Sequence, residues 1–111
     1  MRDETPIRPV WDPTLAEALP GAVLLVGITY LAADGSLIEQ QQFFGRVQSA
    51  HPAQGIALIL EGRRRGERYN LPPDTRSLAR AELGEYRLRS TGEVVVNPDF
   101  TVSFSLQRQA H

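Results

Sequence analysis

Eight residues near the middle of the chain, Gly55-Ile56-Ala57-Leu58-Ile59-Leu60-Glu61-Gly62, constrain the fold more than any other stretch. Five apolar residues in a row beside glycine are too short for a stable isolated helix and too dry for a loop. They suit a strand covered on both faces, in the middle of a small all-β domain. Such a strand needs partners, so the chain on either side is expected to supply further strands.

Upstream, residues 1–11 carry Pro6 and Pro9 among polar neighbours and read as an extended lead-in. Asp12 can cap a helix, because its carboxylate accepts from the free N–H groups of the first turn. Pro13 suits the first helical position, where its missing N–H has no partner to lose. Leu15, Ala18 and Leu19 then share one face, and Pro20-Gly21 ends a helix of about two turns. A helix that short persists only if it packs, with Trp11 as its anchor on the core. Residues 22–32 are β-rich and mostly apolar, and Asp34-Gly35 marks a two-residue type I′ hairpin turn. The return strand covers residues 37–50. Within it Gly45 is the expected bend that lets one strand serve two sides of a barrel, with Phe43, Gly45 and Val47 on one face.

Downstream, His51-Pro52-Ala53-Gln54 turns the chain into the central strand, and Gly62-Arg63-Arg64-Arg65-Gly66 forms a hairpin tip. Tyr69 and Leu71 alternate with Arg68 and Asn70, which gives a strand with one wet face. Pro72-Pro73 ends it, and residues 74–83 read mainly as loop. Tyr86 and Leu88, then Val94 to Val96, then the alternation of Val102, Phe104 and Leu106 predict a terminal meander, followed by a frayed tail at 108–111. The fold class expected is all-β: a small curled or closed antiparallel barrel of about six to seven strands with a short N-terminal helix, one domain over 12–107. Closure would also protect strand edges that otherwise pair with other chains.

The order of short helix, long strand bent at Gly45, central strand and hairpin is similar to the Sm-like and related small Src-homology-type barrels. The resemblance covers Asp12 to Leu71 and is architectural. It implies a barrel, and the RNA-binding members of the group set nucleic-acid binding as an alternative expectation. It carries no site residues with it.

Few function classes find support in the residues. With no cysteine there is no disulfide, thiolate metal site or cysteine nucleophile. His51 and His111 stand apart, without the spacing of a metal site, so no metal or cofactor is expected. No phosphate loop, dinucleotide fingerprint or nucleophile elbow is present. Asp74, Glu82, Glu85, Glu93 and Asp99 would do acid–base work only if the fold gathered them; their places beside turns are explained by solvation. The formal charge of −1 gives no general attraction for polyanions. No apolar run approaches the ~20 residues that cross a bilayer, and the N-terminus lacks a secretory layout, so a cytoplasmic location is expected.

Two surfaces remain as candidate contacts. Arg63, Arg64, Arg65 and Arg68 cluster at a hairpin tip, where guanidinium groups can grip phosphate or an acidic partner. Glu61 and Glu67 flank the run, and a solvated turn is the competing reading. Gln40, Gln42 and Phe44 share the second surface, since alternation sends Phe43 and Phe44 to opposite faces. Phe44 is then either an exposed aromatic rimmed by amides, or is covered by the N-terminal helix through Leu15 and Leu19. The expectation is a non-catalytic module that binds another protein or itself, with nucleic-acid binding through the arginine tip as the alternative and a carboxylate-based hydrolase or metal enzyme as a third reading.

Overall fold

The computed structural model describes residues 10–107. Most of the lead-in expected over 1–11, and the whole tail expected at 108–111, lie outside them. Helix α1 (Pro13–Glu17) starts where the capping argument places it: Asp12 Oδ1 accepts from Thr14 N at 2.9 Å and Leu15 N at 3.2 Å. The buried Thr75 hydroxyl ties down its approach, accepting from Asp12 N at 2.8 Å and donating to Val10 O at 3.0 Å. Ala16 and Leu19 are buried, so the short helix is stabilised by what it covers.

Eight strands follow: β1 (Val23–Leu31), β2 (Leu37–His51), β3 (Gly55–Leu60), β4 (Arg68–Leu71), β5 (Ala79–Arg80), β6 (Glu85–Arg87), β7 (Val94–Val96) and β8 (Phe100–Gln107). Among the described residues, six of these strands form one sheet in the order β4-β3-β2-β1-β8-β5, and β6 pairs only with β7. The protein is mainly β, as expected, but two features of the expected architecture are corrected. The sheet is not closed among the described residues, because its end strands β4 and β5 do not pair with each other. It is also not purely antiparallel, because β8 runs parallel to β1.

The parallel pair replaces the terminal meander, and Asp99 is the reason. Asn97 takes a left-handed conformation at φ 49°, and its N–H donates to Gly84 O at 2.8 Å, the last backbone bond to the β6 side before Pro98. Asp99 then grips Val23 twice: its N–H donates to Val23 O at 2.9 Å, and its Oδ2 accepts from Val23 N at 2.8 Å. That clamp fixes the register Leu24↔Phe100 and sends β8 along β1.

The apolar octet is a strand, but it lies next to the edge and not in the middle. Ile56, Leu58 and Leu60 are buried, while Ala57 and Ile59 face the half-open outer side. The middle belongs to β1 and β2. The turn between those two also differs from the expected two-residue type I′. Gly35 has φ 88°, whereas Asp34 keeps a negative φ, and Ala32 N bonds to Ser36 O at 2.8 Å across a three-residue loop. Asp34 Oδ1 holds that loop by accepting from Ser36 N and Ser36 Oγ.

Gly45 is required for closeness, not for a bulge. A Cβ there would lie 2.5 Å from Ile59 O and 2.9 Å from Leu60 Cα. The register shift itself falls between Val47 and Ser49. One continuous core joins Leu71 of β4, Val26 of β1, Phe100 of β8 and Leu19 beyond α1. Residues 74–83 are mainly loop, as expected, with the two-residue β5 inside them.

Candidate functional site

Strand alternation puts Leu24, Val26 and Ile28 of β1 into the core and leaves Gly27 and Thr29 on the outer face. The ladder sets Gln42 and Ser103 on either side of Gly27, and Gln40 beside Thr29. These residues floor a groove of about 600 Å³. Gly27 makes it a groove: a Cβ at that position would meet nothing within 4 Å. Gln40 Nε2 reaches Thr29 Oγ1 at 3.4 Å, a long contact that leaves most of the amide free.

One wall comes from the β6–β7 hairpin, which a second small core seats on the sheet. Leu88 and Val95 from the hairpin pack on Leu25, with Phe44 and Tyr86 against them. Its connecting loop then reaches Gln42. Arg89 N donates to Gln42 Oε1, Gln42 N donates to Ser90 Oγ at 3.3 Å, and Ser90 Oγ donates to Gln42 O at 3.4 Å. Arg89 itself is exposed, and its guanidinium has no ion-pair partner among the described residues. No carboxylate lines the groove. Beside Gly27 and Ile28, the lining is therefore amide, hydroxyl and one guanidinium, rich in donors and short of negative charge.

The rim has an unpaired backbone rung. Residues i and i+2 of a strand present their N–H and C=O to the same side. Gln42 N turns toward Ser90, and Phe44 O accepts from Glu61 N at 2.9 Å, so both residues point away from β1. Gln40 shares their parity. Strand β3 pairs with β2 only from Gly45 onward, and the chain leaves at Glu61-Gly62. Nothing among the described residues therefore meets the N–H and C=O of Gln40. Residues 37–40 are all exposed, with Leu37 at 60% and Ile38 at 43%. A register shift between Tyr30/Leu31 and Glu39/Leu37 makes Ile38 the extra residue, so the open rung is Gln40 alone.

The candidates expected from sequence are thus divided. Gln40 and Gln42 come together in the groove. Phe44 is neither exposed nor covered by α1; the β6–β7 hairpin covers it, and α1 packs on the opposite face. Gly62 is part of that joint: a side chain there would strike Glu93 and the Phe44 ring. Glu93 Oε2 accepts from Arg63 N at 2.9 Å, which ties the hairpin to the arginine turn.

The arginine turn is not one uniform patch. Arg64 folds back, donating through Nε and Nη2 to Glu67 at 3.1 Å each. Its guanidinium lies 4.9 Å from the Phe43 ring centre and 5.8 Å from that of Tyr69. The hydrogen bond from Arg64 lowers the Glu67 pKa, and the same bond raises that of Arg64. Burial, and then a hydrogen bond with Tyr30, raises the Tyr69 pKa. Arg63, Arg65 and Arg68 remain exposed.

Of the scattered carboxylates, Asp99 and Glu93 are committed to backbone N–H groups as described, and Asp74 Oδ1 accepts from Arg76 N at 2.9 Å. His51 Nδ1 caps its own turn, accepting from Ala53 N at 3.0 Å and Gln54 N at 3.3 Å. No His, Asp or Glu cluster among the described residues has the arrangement of a metal site. No helix among them is long and apolar enough to cross a membrane.

Sequence reasoning missed Gly27, Thr29, Ser103, Arg89 and Ser90 as groove residues. A glycine inside an otherwise β-branched and apolar strand was the available signal. Arg89 and Ser90 had none, because their place depends on where the hairpin docks. The chain matches no protein-family model, no curated protein and no solved structure.

Proposed function

We propose that this protein is a non-catalytic interaction module that takes up an extended segment of another protein along β2, over the groove. The open rung at Gln40 carries the reading. Its N–H and C=O offer an incoming strand two backbone hydrogen bonds, the usual currency of strand addition. Beside it, the groove gives alternate side chains of that segment somewhere polar to go. The long bonds between Ser90 and Gln42, at 3.3 and 3.4 Å, are weak enough to be exchanged for a third and fourth backbone bond at Gln42. Such a short edge gives weak, reversible capture, because each backbone bond contributes only about 1 kcal/mol net.

This reading is preferred over nucleic-acid binding because Arg64 is spent on Glu67 and on two aromatic rings, which breaks up the cluster that would hold phosphates. The test uses a displayed library of random, unstructured peptides. The wild-type protein is expected to enrich a consensus, and Gln40→Pro is expected to lose it. Proline removes an N–H that points to solvent, so the β1–β2 ladder and the thermal midpoint stay intact. Failure to enrich any consensus, or equal enrichment by Gln40→Pro, refutes strand addition here.

A further inference from the structure

Arg89 and Glu39, on opposite faces of one strand edge, have no ion-pair partner among the described residues. Arg89 stands over the outer face, at the Gln42 end of the groove. Glu39 points to the other face, exposed, and among the described residues its side chain meets only the Gln41 amide, at 3.4 Å. From these positions we infer that the segment taken up at Gln40 carries an acidic residue followed directly by a basic one. The inference rests on the strand-addition reading and adds to it the chemistry of the partner.

The order follows from direction. β3 occupies the same edge of β2 further along and runs antiparallel to it, ending with Glu61 N on Phe44 O. A segment continuing on that edge in the same sense starts near Ser90 and runs toward Leu37. Its residue opposite Gln40 shares the outer face with Gln40 and projects over the groove, where the Arg89 guanidinium and the free amides lie and no lining residue is a carboxylate. The next residue in its chain stands opposite Glu39 and projects to the other face, beside that carboxylate. An acid at the first position and a base at the second meet opposite charges. The reversed dipeptide meets two like charges.

The probes are two fluorescein-labelled octapeptides of identical composition, Thr-Val-Thr-Glu-Lys-Thr-Val-Thr and Thr-Val-Thr-Lys-Glu-Thr-Val-Thr, titrated with the full chain and followed by anisotropy at low salt. Opposite-charge and like-charge pairs across strands differ enough, summed over two positions, for a roughly tenfold preference for the Glu-Lys peptide. The double variant Glu39→Lys with Arg89→Glu, both at exposed positions, is expected to reverse that preference. Its thermal midpoint checks that it folds. Equal binding of the two peptides, with both lost in Gln40→Pro, overturns the charge pattern and leaves strand addition standing. A preference for Lys-Glu overturns the pattern by showing the parallel direction. Binding of neither peptide at millimolar concentration, or binding that ignores Gln40→Pro, overturns both.

Discussion

Replacing Gly45 by alanine tests how closely β2 and β3 approach. The added methyl would stand 2.5 Å from Ile59 O, 2.9 Å from Leu60 Cα and 3.0 Å from Ile59 C, all of them backbone atoms of a paired strand. Ordinary contact needs about 3.5 Å, so the two strands must separate by roughly 1 Å where their ladder is tightest. Overpacking of this kind costs about 1–3 kcal/mol. Against it stands the gain from replacing glycine in a strand, about 0.5–1 kcal/mol. Gly27→Ala is the internal control: same substitution, same strand-type backbone, and nothing within 4 Å of the new methyl. The unfolded-state entropy change is common to both variants and cancels. Their difference therefore isolates the overpacking, about 1–3 kcal/mol, or about 1 M in urea midpoint. Equilibrium urea unfolding followed by Trp11 fluorescence measures it. Equal midpoints for the two variants would refute the close-approach argument.

Other expectations follow from the joint between the sheets and from the exposed ion pairs. Leu88→Ala removes a side chain that is 1% exposed from the small cluster with Leu25 and Val95, which lowers the cost of lifting the β6–β7 hairpin by about 2–3 kcal/mol. Amide exchange should then quicken at Tyr86 and Val95 while Val26 and Leu58 keep their protection; uniform quickening would contradict a separately seated hairpin. Glu67 and Asp34 have pKa values held down by the hydrogen bonds from Arg64 and Ser36. The stability each gives is complete above the ordinary carboxylate range and is lost as pH falls through the lowered value. Carboxyl-carbon NMR titration should place both midpoints below that range, and Arg64→Ala should return only Glu67 to it. Tyr69 behaves with the opposite sign: its pKa is raised, so its contribution is full below the ordinary tyrosine range and fades as pH rises through the raised value.

Local chemistry was legible where a residue acts on its own neighbours. Asp12 and Pro13 announced α1, the octet announced a strand, and alternation separated Phe43 from Phe44. What the sequence could not show were decisions made by distant pairs. Asp99 captures Val23 across 76 residues, and that one clamp turns an expected antiparallel meander into a parallel strand beside β1. The same decision strands β6 and β7 in a sheet of their own, which is why the hairpin, and not α1, covers Phe44. The groove depends on that docking. Gln40 and Gln42 were visible as a surface, whereas Arg89 and Ser90 became its wall only through tertiary packing. Within the arginine turn, the sequence showed Glu67 as a neighbour, but not that Arg64 would lie against rings from two other strands.

Amide hydrogen exchange at Gln40 tests the central claim most directly. In the free protein its N–H should exchange close to the unprotected rate, while those of Gln41 and Phe43, which face β1, are protected. At saturating concentration of a peptide recovered from the library, the Gln40 amide should slow by tenfold or more, about 1.4 kcal/mol of added protection. A Gln40 amide already protected in the free protein, or one that the bound peptide leaves unchanged, would contradict the account.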